Sequence, residues 1–483
     1  MESNELKVEE RRRISKPAFI IILSAIFERY STTAVTTVLP LFMNLKLGYD
    51  KDISTAIYHA YEFLGFAFTI VGGAIADSWL GMYQTILSTS IIFFIGCAAL
   101  GVAVVDEFNL PVNAISIACL VVIFVSSGCL KSLCSTFGAQ QYKLHEEKSI
   151  ALFFSLFYFT INVGSILSRI VSPILREDVK CFGNDDCFSL AFGTPGIFMV
   201  FVGVLCAIAS RYSSASQING TTLVNVLRCI GHAIRMKITS KNVAKEHWLD
   251  YSEVKYGHKL VSETKLILSV VVLYLPIPIF WALFFQQGSR WIFQAVRMNG
   301  DIGFYDVKPD QLGVLNPLLV LLLIPVFEYV INPLLAKAGI RTALQKVTVG
   351  GICGGMSFVV SAIVESQIEY KYLHMGWLVP QFLLMAVGET FVTIPLMHFS
   401  YAEAPSSMKT VLQSLRMLSI GIGNLIVAII AGSKLINSQM YEFILFAGIM
   451  FVVMIIFAFL AKRYKSAHHT EKEKDDNKST TIS

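Results

Sequence analysis

Charge is scarce in this chain. Asp, Glu, Lys and Arg make up 15% of its 483 residues, where a soluble domain carries about 25%. Hydrophobic residues make up 54%, and the mean hydropathy is +0.62, far from a soluble composition. Strictly alternating apolar runs are missing, which excludes a membrane β-barrel. A glycine-rich phosphate loop ending in Gly-Lys-Ser/Thr is missing, so this chain by itself is no ATP-driven pump. No repeated channel filter occurs. No nucleophile–base pair or metal-ligand set emerges, which argues against an enzyme and against a bound metal or organic cofactor. The start of the chain lacks a short apolar core with a small-residue cleavage site, so no cleavable signal peptide is expected. Transport coupled to an ion gradient is the class that remains.

What is present is continuous apolar sequence. A membrane helix needs roughly 20 residues, and twelve runs qualify: 17–44, 53–76, 83–105, 110–134, 149–171, 191–211, 266–288, 312–335, 346–365, 375–398, 410–433 and 439–461. The expected fold class is an all-α membrane protein of twelve transmembrane helices. The polar stretch 212–265 divides the spans six and six, the layout of a two-bundle secondary transporter with its site between the halves. The expected organisation is a cytoplasmic N-terminus 1–16, a six-helix bundle 17–211, a cytoplasmic linker 212–265, a second bundle 266–461 and a cytoplasmic tail 462–483. Within the linker, Leu223, Val224, Val226, Leu227, Ile230 and Ile234 recur at helical spacing, with Arg228, Arg235 and Lys237 on another face. That pattern predicts an amphipathic helix at the inner surface. The tail after Lys465 is charged and Ser/Thr-rich, a disorder-prone composition.

Basic residues set the topology. Lys7, Arg11, Arg12, Arg13 and Lys16 precede the first span, and the linker and the tail are both lysine- and arginine-rich. Positive charge stays inside, so both termini and the linker are expected in the cytoplasm. The net charge of +5 is accounted for in this way, and nucleic acid is not an expected partner. Cys181 and Cys187 then fall in an outer loop, on the oxidising side, where a disulfide is expected. Cys97, Cys119, Cys129, Cys134, Cys206 and Cys353 read as small core residues, and Cys229 as a reduced thiol. The sequons at Asn219 and Asn477 face the cytoplasm and should stay unglycosylated.

Against this apolar background, eight charges interrupt the spans: Glu28, Glu62, Glu328 and Glu389, and Arg29, Lys131, Arg169 and Arg416. An unpaired charge at mid-bilayer costs on the order of 3 kcal/mol or more. Charges kept at that cost point to a polar path through the membrane.

Several runs carry a resemblance. Phe154 to Ser165 (FSLFYFTINVGS) resembles the fifth-helix signature of the proton-dependent oligopeptide transporter family. Gly73 to Gly81 (GAIADSWLG) resembles its loop between spans two and three. Ser54 to His59 (STAIYH), Phe280 to Trp291 (FWALFFQQGSRW) and Phe399 to Gln413 (FSYAEAPSSMKTVLQ) are similar to animal members. The family's intestinal-type animal members carry a large extracellular domain between spans nine and ten; here a short stretch, about 366–374, stands in its place. The resemblance implies the major facilitator fold. It also implies proton-coupled symport of di- and tripeptides by alternating access, with protons as coupling ion and a monomer as the working unit in the lipid bilayer. The plasma membrane is the expected location, with the endolysosomal membrane as the alternative.

A short peptide is a zwitterion, so its site needs a cation for the carboxylate and an acid with amide oxygens for the ammonium. Arg29 and Lys131 match the family's carboxylate clamp. Asn162, Asn316 and Glu389 match its ammonium and backbone contacts. Tyr158 and Trp281 match pocket-wall aromatics, with packing an equal reading for Trp281. Glu28, His59, Glu62 and Glu389 are the proton-coupling candidates, and Asp77 a gating residue. His59 and Glu62 stand three apart on one helical face; either they share a proton or Glu62 only orients the ring.

The chain also departs from the family pattern. Ala25 replaces the first acid of the Glu-x-x-Glu-Arg motif. Thr32 and Thr33 replace a tyrosine pair, Phe42 and Phe66 replace aromatic hydroxyls, and Ala139-Gln140-Gln141 replaces Gly-Asp-Gln. Phe285 stands at an acidic position and Ser269 at a basic one, which leaves Glu328 without its usual partner; Arg416 is the candidate replacement. Each lost hydroxyl removes a bond worth roughly 1 kcal/mol, so altered affinity or range is expected. Two alternatives remain: a transporter of another small zwitterion, such as histidine or an amino-acid conjugate, and a non-transporting nutrient sensor on the same fold.

Overall fold

In a computed structural model of the full chain, the described residues are 14–108, 110–131, 133–139, 141–142, 147–183, 185–212, 222–239, 245, 247–403, 409–434, 436 and 438–464. The N-terminal basic cluster, both sequons and the tail after 464 lie outside them. So do the side chains of Asp77 and Glu328, and with them the gating role expected of Asp77 and the Glu328–Arg416 pairing.

The described residues are nearly all helical. Their only β pairing is two isolated bridges, Asn299 with His374 and Asp301 with Asp306. Among the described residues, ten helices are long and apolar enough to cross a membrane. The bent pair Trp248–Tyr274 and Ile277–Ala295, meeting at 50°, makes an eleventh. The remaining predicted run forms the helix Lys51–Ile75 of 25 residues. At 1.5 Å per residue that length suffices to span, but Lys51, Asp52, His59 and Glu62 make its composition mixed.

Local chemistry places the helix ends. Ser15 caps the first span, Lys16–Leu41, by accepting from the Ala18 amide at 3.3 Å, with a proline at the start, the arrangement that satisfies first-turn donors. Thr342 and Gln345 form a capping box at the ninth span, Ala343–Ile368. Asp50 accepts from the Ile53 amide at 2.8 Å and so caps the second.

The linker is shorter than expected. Residues 253–265 already belong to the helix Glu253–Tyr274, which turns at Gly257 (φ 80°). The polar run around Gly257 resembles a loop in sequence, but a glycine tolerates that φ and the helix resumes beyond it. The ninth and tenth spans are joined by residues 369–374 alone before the short turn Met375–Leu378.

The chain packs as two compact units, Met1–Gly48 with Phe68–Asn219, and Tyr49–Ala67 with Gly220–Ser483. In the first, the opening span lies on the sixth through Tyr30 and Phe198, whose rings meet edge-on at 4.6 Å. Ser189 Oγ ties the sixth span to the third by donating to the Gly101 carbonyl at 2.7 Å. Cys181 and Cys187 are joined in a disulfide. In the second unit, Trp291, Phe358, Phe382, Phe443 and Phe446 are fully buried, with Trp291 edge-on to Phe382 at 4.7 Å. The ninth and tenth spans approach backbone to backbone: a Cβ on Gly350 would sit 2.7 Å from the Gly388 carbonyl, the small-residue contact that brings membrane helices together.

The second unit also holds an ion network that the span charges did not announce. Arg290, buried, meets Asp52 at 2.7 Å and Glu442 at 2.7 Å. Its Nε donates to Glu442 at 3.1 Å. Arg297 meets Glu365 at 2.5 Å. The first part of the second helix is thereby tied to helices seven and twelve.

Two predictions follow from this geometry. Glu442 is buried while Asp52 is about one-third exposed, so Glu442→Ala should cost about 3 kcal/mol or more and Asp52→Ala below about 1 kcal/mol. Thermal unfolding of the purified protein separates the two, and equal losses would contradict the assigned burial. Asp50 lies outside the spans. The Ile53 amide and then the Lys434 ammonium hold its carboxyl below the usual range. Its contribution is therefore complete above about pH 4 and is lost as pH falls through the lowered value. Unfolding followed against pH should show a flatter acid limb for Asp50→Asn than for wild type.

Candidate functional site

The first unit carries one group of candidates on the first span. Glu28 is buried and Arg29 half-buried, and Arg29 and Lys131 both act electrostatically on Glu28. Lys131 stands where the fourth-span helix Val112–Leu130 ends; its amide bonds back to the Ser127 carbonyl at 3.0 Å. Lys131 keeps helical backbone angles and lies within the longer apolar span Val112–Gly138. Among the described residues, Glu28 Oε1 and Arg29 Nε are buried with no hydrogen-bond partner. Buried polar atoms are nearly always paired, so these two are available to a ligand or a proton.

The fifth span supports this group. A Cβ on Gly164 would lie 2.6 Å from the Ile26 carbonyl and 3.1 Å from Arg29 Cβ. The glycine therefore lets the fifth helix close on the backbone that carries Arg29. Asn162, two residues earlier, donates to the Tyr158 carbonyl at 2.8 Å. Tyr158 is 38% exposed, compatible with a wall position.

The second unit brings together two of the predicted residues. Asn316 Nδ2 donates to Glu389 Oε2 at 2.7 Å, joining helices eight and ten. Asn316 Oδ1 is buried and has no partner among the described residues. Trp281 is 4% exposed. It packs edge-on to Phe280 at 5.3 Å and Phe284 at 5.5 Å, with its Nε1 buried and unpartnered among the described residues. The ring contacts fit the packing reading, and the open Nε1 leaves the pocket-wall reading standing.

His59 is fully buried, and both ring nitrogens are occupied. Nδ1 meets Asn424 Oδ1 at 2.8 Å and Nε2 meets Ser289 Oγ at 2.9 Å. Asn424 Nδ2 donates to the Ile420 carbonyl at 3.2 Å, which turns its Oδ1 to the ring. His59 therefore carries its proton on Nδ1, and Nε2 accepts from the Ser289 hydroxyl. The ring nitrogens thus bond helices seven and eleven, and Glu62 is buried on the same helix.

The departures from the family pattern also have locations. Thr32 returns its hydroxyl to the Glu28 and Arg29 carbonyls at 3.1 and 3.3 Å, so it is spent within its own helix. Phe42 is buried against Phe192 at 4.9 Å. Phe66 and Phe285, two separate departures, touch each other edge-on at 5.5 Å; an aromatic contact stands where both polar groups are absent. Arg416 is buried. Its carbonyl accepts from Ser419 Oγ at 2.6 Å.

Sequence reasoning did not single out Arg290, Ser289, Asn424, Asp52 or Glu442. Ser289 and Arg290 sit inside the FWALFFQQGSRW run, which was the available signal for them. Asn424 sits between glycines and isoleucines and gave none.

Substitution at Gly164 tests the first group. Ala in place of a helical Gly gains up to about 1 kcal/mol by propensity, whereas overpacking costs about 1–3 kcal/mol. Nothing lies within 4 Å of a Cβ on Gly193, so Gly193→Ala should be neutral or stabilising, while at Gly164 the clash should win. Thermal unfolding gives the sign for each, and a stabilised Gly164→Ala would refute the close approach.

Residues 83–445 match PTR2, the POT family. Peptide transporter family 1 of Drosophila melanogaster is 40% identical over 356 residues, 73% of this chain and 48% of that protein. Solute carrier family 15 member 2 of Homo sapiens is 40% identical over 358 residues, 73% of this chain and 49% of that one. The chain thus spans about half the length of the curated relatives it matches. The crystal structure of the POT family transporter PepTSo has a TM-score of 0.79 at 25% identity, covering 92% of this chain and 97% of the other. A second POT family transporter structure has a TM-score of 0.71 at 26% identity, over 91% and 99%. The helices, their order and these likenesses define the major facilitator fold, and the chain belongs to the POT family as a multi-pass integral membrane protein.

Proposed function

We propose that this chain is a proton-coupled symporter of di- and tripeptides working by alternating access. The observation that carries it is the pair of unsatisfied buried groups on the first span, Glu28 Oε1 and Arg29 Nε, in a chain of this family. A transport site must leave polar atoms open for its cargo, and these two belong to adjacent charged residues on one span. In this reading Arg29 and Lys131 take the peptide carboxylate. Glu389, held by Asn316, takes the ammonium, with Asn162 on the peptide backbone and Tyr158 along the wall.

Glu28, Glu389 and His59 handle the proton, with Glu62 as a further acid in the second span. The neutral His59 ring satisfies Asn424 and Ser289 at once. A proton added at Nε2 requires the Ser289 hydroxyl to turn and accept, and leaves a charge with no counter-ion among the ring's bonded partners. That change loosens the hold of residues 49–67 on helices seven and eleven, which is how proton entry would bias the alternation.

Both termini and the linker lie in the cytoplasm, and the plasma membrane is the working location, in keeping with the basic residues of the linker. The protein acts as a monomer. Lost hydroxyls at Thr32, Phe42 and Phe66 weaken or broaden peptide selection rather than abolish it, because the charged groups remain.

Uptake of a labelled dipeptide into oocytes should rise as the outside pH falls. Glu389→Gln should reduce that pH-stimulated uptake by at least about tenfold, the loss of roughly one charge-assisted bond. Full coupled uptake in the Gln variant would remove Glu389 from the site. Competition by free amino acids but not by dipeptides would instead identify another zwitterion as cargo.

A further inference from the structure

The linker helix Thr222–Thr239 carries buried, exposed apolar and basic side chains. Val226, Cys229 and Ala233 are buried. The helix is fastened to the start of the seventh span: Ser252 Oγ donates to the Cys229 carbonyl at 2.8 Å, and His232 meets Ser252 at 3.1 Å. A second stripe is apolar and uncovered. Leu227 is 58% exposed, Ile234 47% and Ile238 73%. At 3.6 residues per turn this stripe lies roughly 110° from the buried arc and roughly 90° from Arg228 and Arg235.

Cations flank the stripe on both sides: Arg228 and Arg235 on one face, and Lys237 roughly 80° away on the other, so the basic residues do not share the single face that the sequence suggests. All three are exposed, and no carboxylate among the described residues pairs with them. The nearby acids are already engaged: Asp250 with Lys265 at 2.5 Å and Glu253 with His258 at 2.6 Å. The Asp250 carboxyl is held below its usual range, chiefly by that lysine. A protein-docking groove would need apolar cover alone. Here the apolar stripe runs beside cations and along the end of a membrane-spanning helix.

We infer that the linker helix is a docking surface for the anionic phospholipids of the leaflet it faces. Leu227, Ile234 and Ile238 enter the boundary between headgroups and acyl chains, while Arg228, Arg235 and Lys237 bind the anionic headgroups at its level. The stems of arginine and lysine reach that far while their heads stay wet. Each basic residue near an anionic surface adds attraction that falls off within a Debye length, so the docking weakens as salt rises. The helix is bonded to the seventh span, so lipid composition is felt where that span begins.

The test is hydrogen exchange of residues 225–239 in the full-length protein, reconstituted in phosphatidylcholine nanodiscs with or without phosphatidylserine. Wild type should exchange roughly tenfold or more slowly with phosphatidylserine at low salt, and the difference should shrink at high salt. The variant R228Q/R235Q/K237Q should lose the phosphatidylserine effect yet keep the exchange seen in phosphatidylcholine. The variant L227S/I234S/I238S should exchange faster in both lipids. Equal exchange of wild type in the two lipids overturns the inference. So does equal slowing by soluble glycerophosphoserine, which would indicate a free-anion site, and so does slowing that appears only with added cytosolic protein. Melting temperatures of the variants matching wild type confirm that they fold. Peptide uptake is not the readout, so failure here leaves the transport reading standing.

Discussion

Hydrocarbon offers a charged side chain no water, and this protein depends on how each intramembrane charge meets that constraint. Arg290 is enclosed by Asp52 and Glu442 with close contacts on both sides, and Arg297 is closed by Glu365. Arg290 has a carboxylate on each of two other helices, while Glu365 Oε2 is buried without a hydrogen-bond partner among the described residues. Glu28 Oε1 and Arg29 Nε are likewise buried and unpaired among the described residues.

His59 is saturated by Asn424 and Ser289, so its neutral form locks three helices of one compact unit. Its leverage comes from that saturation: a group with no spare bond cannot change protonation without moving a neighbour. In the same unit, Phe66 and Phe285 meet as rings. In the other unit, the Thr32 hydroxyl bonds to carbonyls of its own helix. Apolar and local contacts stand at positions where the family pattern has hydroxyls and an acid.

The second helix shows why helix count alone does not describe the architecture. Its residues 49–67 pack with one compact unit and the rest with the other. The anchoring comes from side chains, with Asp52 on Arg290 and His59 on helices seven and eleven. An apolar helix of the same length would lack these ties. The mixed composition that weakens this run as a membrane span is thus the feature that fastens it.

Much of the plan was legible in the linear chain. Continuous apolar runs predict spanning helices, because backbone groups in lipid must bond within their own segment. The charges at Glu28, Arg29, Lys131 and Glu389 stood out because their surroundings are apolar, and the motifs around them named the family. Pairing was not legible. Asn316 finds Glu389 across 73 positions, His59 finds Asn424 across 365, and Arg290 finds Asp52 across 238. His59 reaches Asn424 and Ser289, on two other helices, although Glu62 stands only three residues away in sequence. Helical periodicity specifies which face a residue occupies, but which helix lies opposite that face follows only from packing. The sequence therefore determined which groups are charged and in which apolar run each stands; tertiary structure alone decided which oppositely charged or polar group each one meets.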